Sequence, residues 1–285
     1  MPELPEVETV RRGLEGVLLG KRITRLEQRR ADLRQPLPEN FAAQVEGRRV
    51  VALERRAKYM LLRLDDGQVW LIHLGMSGRM GILPIGHNHP PPGPHDHVSF
   101  ETEAGVMVRF NDARRFGLMT LCGTAELAAH PLLKGLGPEP LEADFTGARL
   151  ALALKGKRTP IKSAILDQRV VAGIGNIYAC ESLYYAGISP KRSAHTVQGA
   201  RADRLVAAIK QVLNAAIAAG GSTLRDHIQP SGELGYFQHS FAAYDREGQV
   251  CQICAQAQGG GDGKRLIKRL VQAGRSTFYC AGHQR

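Results

Sequence analysis

MPELPEVETVRRGLEGVLLG, residues 1–20, reads as an amphipathic helix behind a short tail. Leu4, Val7, Val10, Leu14, Val17 and Leu18 recur at the spacing of one helical face. Pro5 suits a first helical turn and Gly20 a stop. Glu3, Glu6 and Glu8 make the start acidic, where a secretory signal would place basic residues before an apolar stretch, so no export address is expected and the cytoplasm is the default location.

Beyond the helix the apolar period shortens. RRVVALERR, YMLLRL, QVWLIHLGM, HVSFET and GVMVRF, between about 21 and 125, are strand-like and are separated by turn pairs such as Asp66-Gly67 and Ala104-Gly105. This predicts a β-sandwich or barrel with a helix at its front. PLLKGLGPEPLEADF, 131–145, is rich in Pro and Gly, and helical patterns follow it at about 146–155, 160–170, 176–187 and 198–219. A domain boundary is therefore expected near 135. From Tyr236 on, short strand-like pieces bracket the cysteines. PIGHNHPPPGPHDHV, 84–98, holds His87, His89, His95 and His97 among prolines that prevent a compact cage, and is expected as a mobile surface loop.

The chain has 285 residues, enough for more than one domain at roughly 100–200 residues each. Its composition is ordinary for a globular protein, and no apolar run reaches the ~18–20 residues of a membrane span. The net charge of +11 favours a polyanionic partner, nucleic acid first, over a basic protein with no such ligand. Five cysteines in a reducing compartment argue against a disulfide framework. Cys251 and Cys254 form a CxxC, and Cys280 with His283 a CxxH; together they offer four soft ligands in two knuckles, as one structural tetrahedral zinc requires. A redox pair is the other reading. From residue 249 to the end, Lys264, Arg265, Lys268, Arg269, Arg275 and Arg285 face a single acid, Asp262, a balance suited to phosphates or to a solvated face.

Removal of Met1 before the small Pro2 would leave a free secondary amine, with an α-amino pKa of about 7.7–8.0. Such an amine attacking C1′ of a sugar gives an obligatorily cationic iminium that weakens the C2′–H bond, the chemistry of a lyase on an abasic sugar. Glu3 follows directly and could move the proton, with Glu6 one turn on as support. Taken alone, these acids read more simply as complements to the positive end of a helix.

A set of blocks in fixed order adds to this: MPELPEVETVRRGLEG, RRAKYMLLRL, HLGMSGRM, HDHVSF, DARRFG, LGPEPL, GIGNIYACESLYYAGISP and the CxxC hairpin. Over essentially the whole chain they resemble the bacterial formamidopyrimidine-DNA glycosylases. The resemblance implies an α+β fold, with an N-terminal β-sandwich and front helix (1–135), a helical helix–two-turn–helix domain (136–235) and a zinc-ribbon hairpin (236–285). It implies a bifunctional base-excision repair enzyme that removes 8-oxoguanine and formamidopyrimidines and nicks the strand by β,δ-elimination. Its partner would be damaged double-stranded DNA, bound by a monomer in the bacterial nucleoid with no membrane association.

Residue by residue, the resemblance implies Pro2 as nucleophile and Glu3 as general acid. Lys58 would contact phosphate and assist proton transfer, and Arg275 would grip phosphate at the lesion and assist the second elimination. Met76, Arg114 and Phe116 correspond to a wedge that fills the gap left by a flipped base. His73, His95, Lys157 or Arg158, and Asn176 correspond to DNA contacts, and residues 220–236 to a loop that closes on the flipped base. The family's fourth zinc ligand is normally Cys, whereas His283 stands here. Two other readings compete: an endonuclease VIII type acting on oxidised pyrimidines, whose N-terminus reads PEGPEI rather than PELPEV, and a non-catalytic zinc-dependent DNA-binding protein, which has no need of Pro2.

Overall fold

The computed structural model describes residues 1–83, 89–222, 235–257 and 265–285. The chain forms two compact units, residues 1–134 with 217–238, and residues 135–216 with 239–285.

The first unit opens with α1 (Leu4–Leu18), followed by β1 (Ile23–Gln28), the short α2 (Phe41–Val45), β2 (Val50–Arg56), β3 (Tyr59–Leu64), β4 (Gln68–His73), β5 (Arg79–Leu83), β6 (Asp96–Thr102), β7 (Met107–Asn111) and β8 (Leu118–Gly123). The strands form two antiparallel four-stranded sheets, β1-β6-β7-β5 and β2-β3-β4-β8. Side chains of both sheets meet in one apolar cluster, the arrangement of a sandwich. Trp70 sits at its centre, edge-on to Phe41 and tilted against Phe100, with ring centroids 5.1 Å apart in each case. The apolar stripe of α1 supplies Val7, Val10, Leu14 and Leu18 to the same cluster, each worth about 1.5–3 kcal/mol when fully buried.

Ion pairs then fix α1 along β2. Glu8 meets Arg55 at 3.3 Å, and Arg11 donates to the Leu53 carbonyl at 3.0 Å. Burial alone would raise the Glu8 pKa, but hydrogen bonds from Arg11 and Arg12 and the charges of Arg11 and Arg55 outweigh it and hold the carboxyl low. The β6 strand begins at Asp96, so the stretch expected as a loop to residue 98 ends earlier, and His97 and Val98 are buried. His87 and residues 84–88 lie outside the described residues, as do residues 223–234 of the expected closing loop.

The second unit holds α3 (Gly147–Leu154), α4 (Ile161–Leu166), α5 (Asn176–Tyr185), α6 (Ala200–Ala218) as far as Ala216, α7 (Gln252–Ala257), and the hairpin β9 (Lys268–Gln272) and β10 (Arg275–Tyr279). The helix expected to reach 170 stops at Leu166. Gln168 turns the chain instead, donating to the Ile174 carbonyl at 2.8 Å and accepting from the Gly173 amide at 2.8 Å. The CxxC was expected among strand-like pieces. It lies at the start of a short helix, where the Ala255 amide bonds to the Cys251 carbonyl at 3.0 Å, because a knuckle must turn back toward its second cysteine.

Candidate active site and nucleic-acid interface

The amino end of α1 is buried, with Glu3 3% and Glu6 2% exposed and Pro2 beside them. Glu6 reaches back along the first turn: one carboxylate oxygen accepts the Glu3 amide at 2.9 Å. Its other oxygen accepts the amide and hydroxyl of Ser222 at 2.9 and 3.1 Å. Glu6 is therefore the brace of residues 2–4, and Ser222, 216 positions away, is a partner that no local pattern could have disclosed.

Lys58 follows Ala57 in the tight turn between β2 and β3 and is 6% exposed. Ala57 has φ +52, a left-handed conformation that costs an L residue about 1–2 kcal/mol. Arg55, already paired with Glu8, donates to the Ala57 carbonyl at 3.0 Å and ties this turn to α1. His73, opposite Tyr59 in the β3–β4 register, stacks on its ring at 4.9 Å. Burial, then the charges of Lys58 and Arg34, push the His73 pKa down to about 4. Its Nδ1 accepts the Gly75 amide at 3.0 Å, so the neutral ring carries its proton on Nε2, as a donor.

Two loops side by side carry Met76, Arg114 and Phe116. A Cβ on Gly75 would fall 2.3 Å from the Phe116 carbonyl carbon, so only glycine allows the two backbones to touch, and Gly75 also takes φ +68. The Arg114 guanidinium lies 5.0 Å over the Phe116 ring, and Phe116 is 44% exposed. An exposed aromatic under a guanidinium, projecting from braced loops, can stack on a base. His95 is exposed beside them, its carbonyl accepting the Asp112 amide at 2.9 Å.

In the second unit Asn176 begins α5, and its side-chain amide donates to the Ser276 carbonyl at 3.0 Å, next to Arg275. Lys162, fully buried, donates to the same carbonyl at 2.9 Å and to the Thr277 hydroxyl at 2.7 Å. Asn176 and the exposed Arg275 are thus brought together through one peptide, and Lys162 is a supporting residue that sequence reasoning missed. Lys157 and Arg158 lie in the turn after α3, where their carbonyls are held by the His195 amide at 2.8 Å and the Ser193 hydroxyl at 3.1 Å.

The ligand atoms of Cys251, Cys254, Cys280 and His283 all lie within 4.8 Å of one another. Cys254 Sγ is 3.6 Å from Cys280 Sγ, and His283 Nδ1 is 3.4 Å from Cys251 Sγ and 3.9 Å from Cys254 Sγ. Tetrahedral metal bonds of ~2.0–2.3 Å place neighbouring ligand atoms ~3.5–3.8 Å apart, so the four residues fit a metal ion. His283 Nε2 donates to the Tyr184 carbonyl at 2.9 Å, which leaves the Nδ1 lone pair turned to the cluster. Glu181, also on α5, accepts the amides of Ala242, Ala243 and Tyr244 at 2.7–2.9 Å and fixes the chain that leads to Cys251.

A helix-fronted sandwich with a buried acidic amino end is thus followed in the chain by helices and a basic hairpin that bears the cysteine cluster. The profile of the formamidopyrimidine-DNA glycosylase N-terminal domain matches residues 1–119, and that of the formamidopyrimidine-DNA glycosylase H2TH domain matches residues 136–227. The formamidopyrimidine-DNA glycosylases of Rhodospirillum centenum and Rhodospirillum rubrum are each 57% identical to this chain, over all of both chains. The MutM (Fpg) protein of Thermus thermophilus superimposes with a TM-score of 0.85 at 38% identity, over 99% of this chain and 98% of that one. Lactococcus lactis Fpg in complex with DNA containing an abasic site gives 0.86 at 30% identity, over 99% of each chain. The chain belongs to the formamidopyrimidine-DNA glycosylase family, and is a DNA-repair glycosylase.

Proposed function

We propose that the enzyme excises oxidised purines, 8-oxoguanine and formamidopyrimidines, from duplex DNA and then cleaves the strand as a lyase through Pro2. With Met1 removed, the Pro2 nitrogen attacks C1′, the bond from C1′ to the base breaks, and the proton shed by the nitrogen passes to the departing base. The sugar ring then opens as the C1′–O4′ bond breaks, O4′ takes a proton from Glu3, and C1′ and the Pro2 nitrogen share an iminium. Loss of a C2′ proton expels the 3′ phosphate, and loss of a C4′ proton the 5′ phosphate. Glu6, through its bonds to the Glu3 amide and to Ser222, keeps nucleophile and acid in register. Lys58 and neutral His73 bind phosphate oxygens, as do Asn176 and Arg275 in the second unit, with Lys157 or Arg158 and His95 at the margins. Met76, Arg114 and Phe116 enter the stack where the damaged base leaves it.

A single zinc held by Cys251, Cys254, Cys280 and His283 would supply structure alone, fixing the hairpin that bears Arg275. The chain acts as a monomer, and the divisions 1–135, 136–235 and 236–285 are its catalytic, helical and hairpin domains. The observation that carries this reading is the buried Glu3 carboxyl directly after Pro2, held in place by the Glu6 brace, which sets a proton donor beside the amine that loss of Met1 would free. The test is borohydride trapping on 8-oxoguanine duplex, with oxidised-pyrimidine duplex in parallel. Trapping is expected on the purine lesion and its loss in Pro2→Gly. An untrapped wild type overturns the lyase chemistry, and faster trapping on the pyrimidine lesion transfers the enzyme to the endonuclease VIII type.

A further inference from the structure

We propose that Asp112 and Ser77 are positioning residues that lock the two loops carrying Met76, Arg114 and Phe116 into one rigid wedge. This rests on the reading of those three side chains as the group that enters the base stack.

Asp112 is 0% exposed, although the four residues after it are exposed. One carboxylate oxygen accepts the Ser77 hydroxyl at 2.5 Å and the other accepts the Gly117 amide at 2.7 Å. The Ser77 oxygen accepts in turn from the Arg114 amide at 3.1 Å. The backbone of Asp112 is equally engaged: its amide donates to the His95 carbonyl at 2.9 Å, and its carbonyl accepts from His97 Nε2 at 2.8 Å and from the Arg115 amide at 3.3 Å. One residue thus joins the loop after β4, the start of β6 and the loop after β7.

The chemistry of the joint explains its residue types. Two donors approach from two loops, and a carboxylate is the side chain that offers only acceptors to both. The hydroxyl of Ser77 relays the bond, donating to Asp112 while accepting from the residue that bears the guanidinium. The space is closed around it: a Cβ on Gly117 would lie 2.6 Å from the Phe110 ring and 3.0 Å from the Asp112 carboxylate. Arg115 is held at φ +57, a conformation that persists only where its surroundings over-determine it.

A wedge must unstack a base step, and a side chain on a yielding loop would lose that work to its own rearrangement. Loops ordered before contact do not incur the conformational entropy of ordering at the moment of insertion. The clamp therefore acts on the base-exposing step on duplex DNA and not on the chemistry at residue 2.

The test uses the full-length enzyme and duplexes in which a fluorescent adenine analogue adjoins a tetrahydrofuran abasic site, so that unstacking on insertion raises fluorescence. Ser77→Ala, which removes both the bond to Asp112 and the bond from the Arg114 amide, is expected to slow this rise about tenfold or more, the scale of one such bond or more. Asp112→Asn is expected to do less, because its remaining oxygen keeps the Gly117 bond while the Ser77 hydroxyl reverses. Ser77→Thr, which restores the hydroxyl, should recover the rise. The ratio of 8-oxoguanine excision from duplex to cleavage of a single-stranded abasic oligonucleotide should fall by the same factor in Ser77→Ala. An unchanged ratio, or wild-type unstacking in both Ser77→Ala and Asp112→Asn, overturns the clamp. Met76→Ala combined with Phe116→Ala separates the two ideas: an undiminished rise in that variant overturns the wedge reading itself, whereas a lost rise there beside normal behaviour in Ser77→Ala overturns the clamp alone.

Discussion

His73 gives the protein an acid limb that can be worked out from its surroundings. Its pKa is pushed down to about 4 by burial and by the charges of Lys58 and Arg34, whereas in the unfolded chain an imidazole titrates near 6.5. Between those values the unfolded state binds a proton that the folded state refuses, so stability rises with pH there. The neutral ring's contribution is complete above about pH 6.5 and is lost as the pH falls toward 4. A gap of about 2.5 units at 1.36 kcal/mol each is about 3 kcal/mol, an upper bound because the residue is partly exposed.

The chain has one tryptophan, Trp70, buried in the core of the unit that contains His73, so its fluorescence follows unfolding of that unit. Urea unfolding of the wild type and of His73→Asn, whose side-chain oxygen can still accept the Gly75 amide, should be compared from pH 4 to 8. The stability advantage of the wild type should be flat above about pH 7 and shrink by up to about 3 kcal/mol by pH 4. A difference independent of pH refutes the reasoning, as does an imidazole resonance of His73 that titrates near 6.5.

Two other outcomes follow from the same geometry. Glu6→Gln sets an amide donor against either the Glu3 amide or Ser222, which should cost about 1–3 kcal/mol in Trp70-monitored stability and slow borohydride trapping by at least tenfold; equal stability and equal trapping contradict the bracing role. Elemental analysis should find one zinc per chain. With cobalt in its place, His283→Cys should strengthen the thiolate charge-transfer absorption, while His283→Ala should lower metal affinity; a His283→Ala protein that keeps the metal as tightly excludes that residue as a ligand.

Much of the architecture could be read from local pattern. The apolar stripe from Leu4 to Leu18 is α1, because a helix on a core repeats near 3.6 residues, and the runs around Met60, Trp70 and Val108 are strands of the two sheets. The cysteine knuckles were legible because metal chemistry fixes ligand spacing. The braces were not. Ser222 meets Glu6 only after the chain has returned from far along the sequence, and Lys162 meets Ser276 across more than a hundred residues. Asp112 stood in plain view in DARRFG, yet an acid beside exposed arginines carries no sign that it will be buried. Short helices such as α2 and α7 were missed since one or two turns give too few residues to set a period.

Lys162 and Asn176 converge on the Ser276 carbonyl near the tip of the terminal hairpin, while the cysteines and His283 gather its base. The hairpin is accordingly pinned at two places by unlike means, and the two can fail separately. Were a metal lost from the base, or a thiol there oxidised, the buried Lys162 ammonium would still hold the turn that bears Arg275. The cluster of cysteines and histidine at one end and Lys162 with Asn176 at the other thus share the work of holding one hairpin.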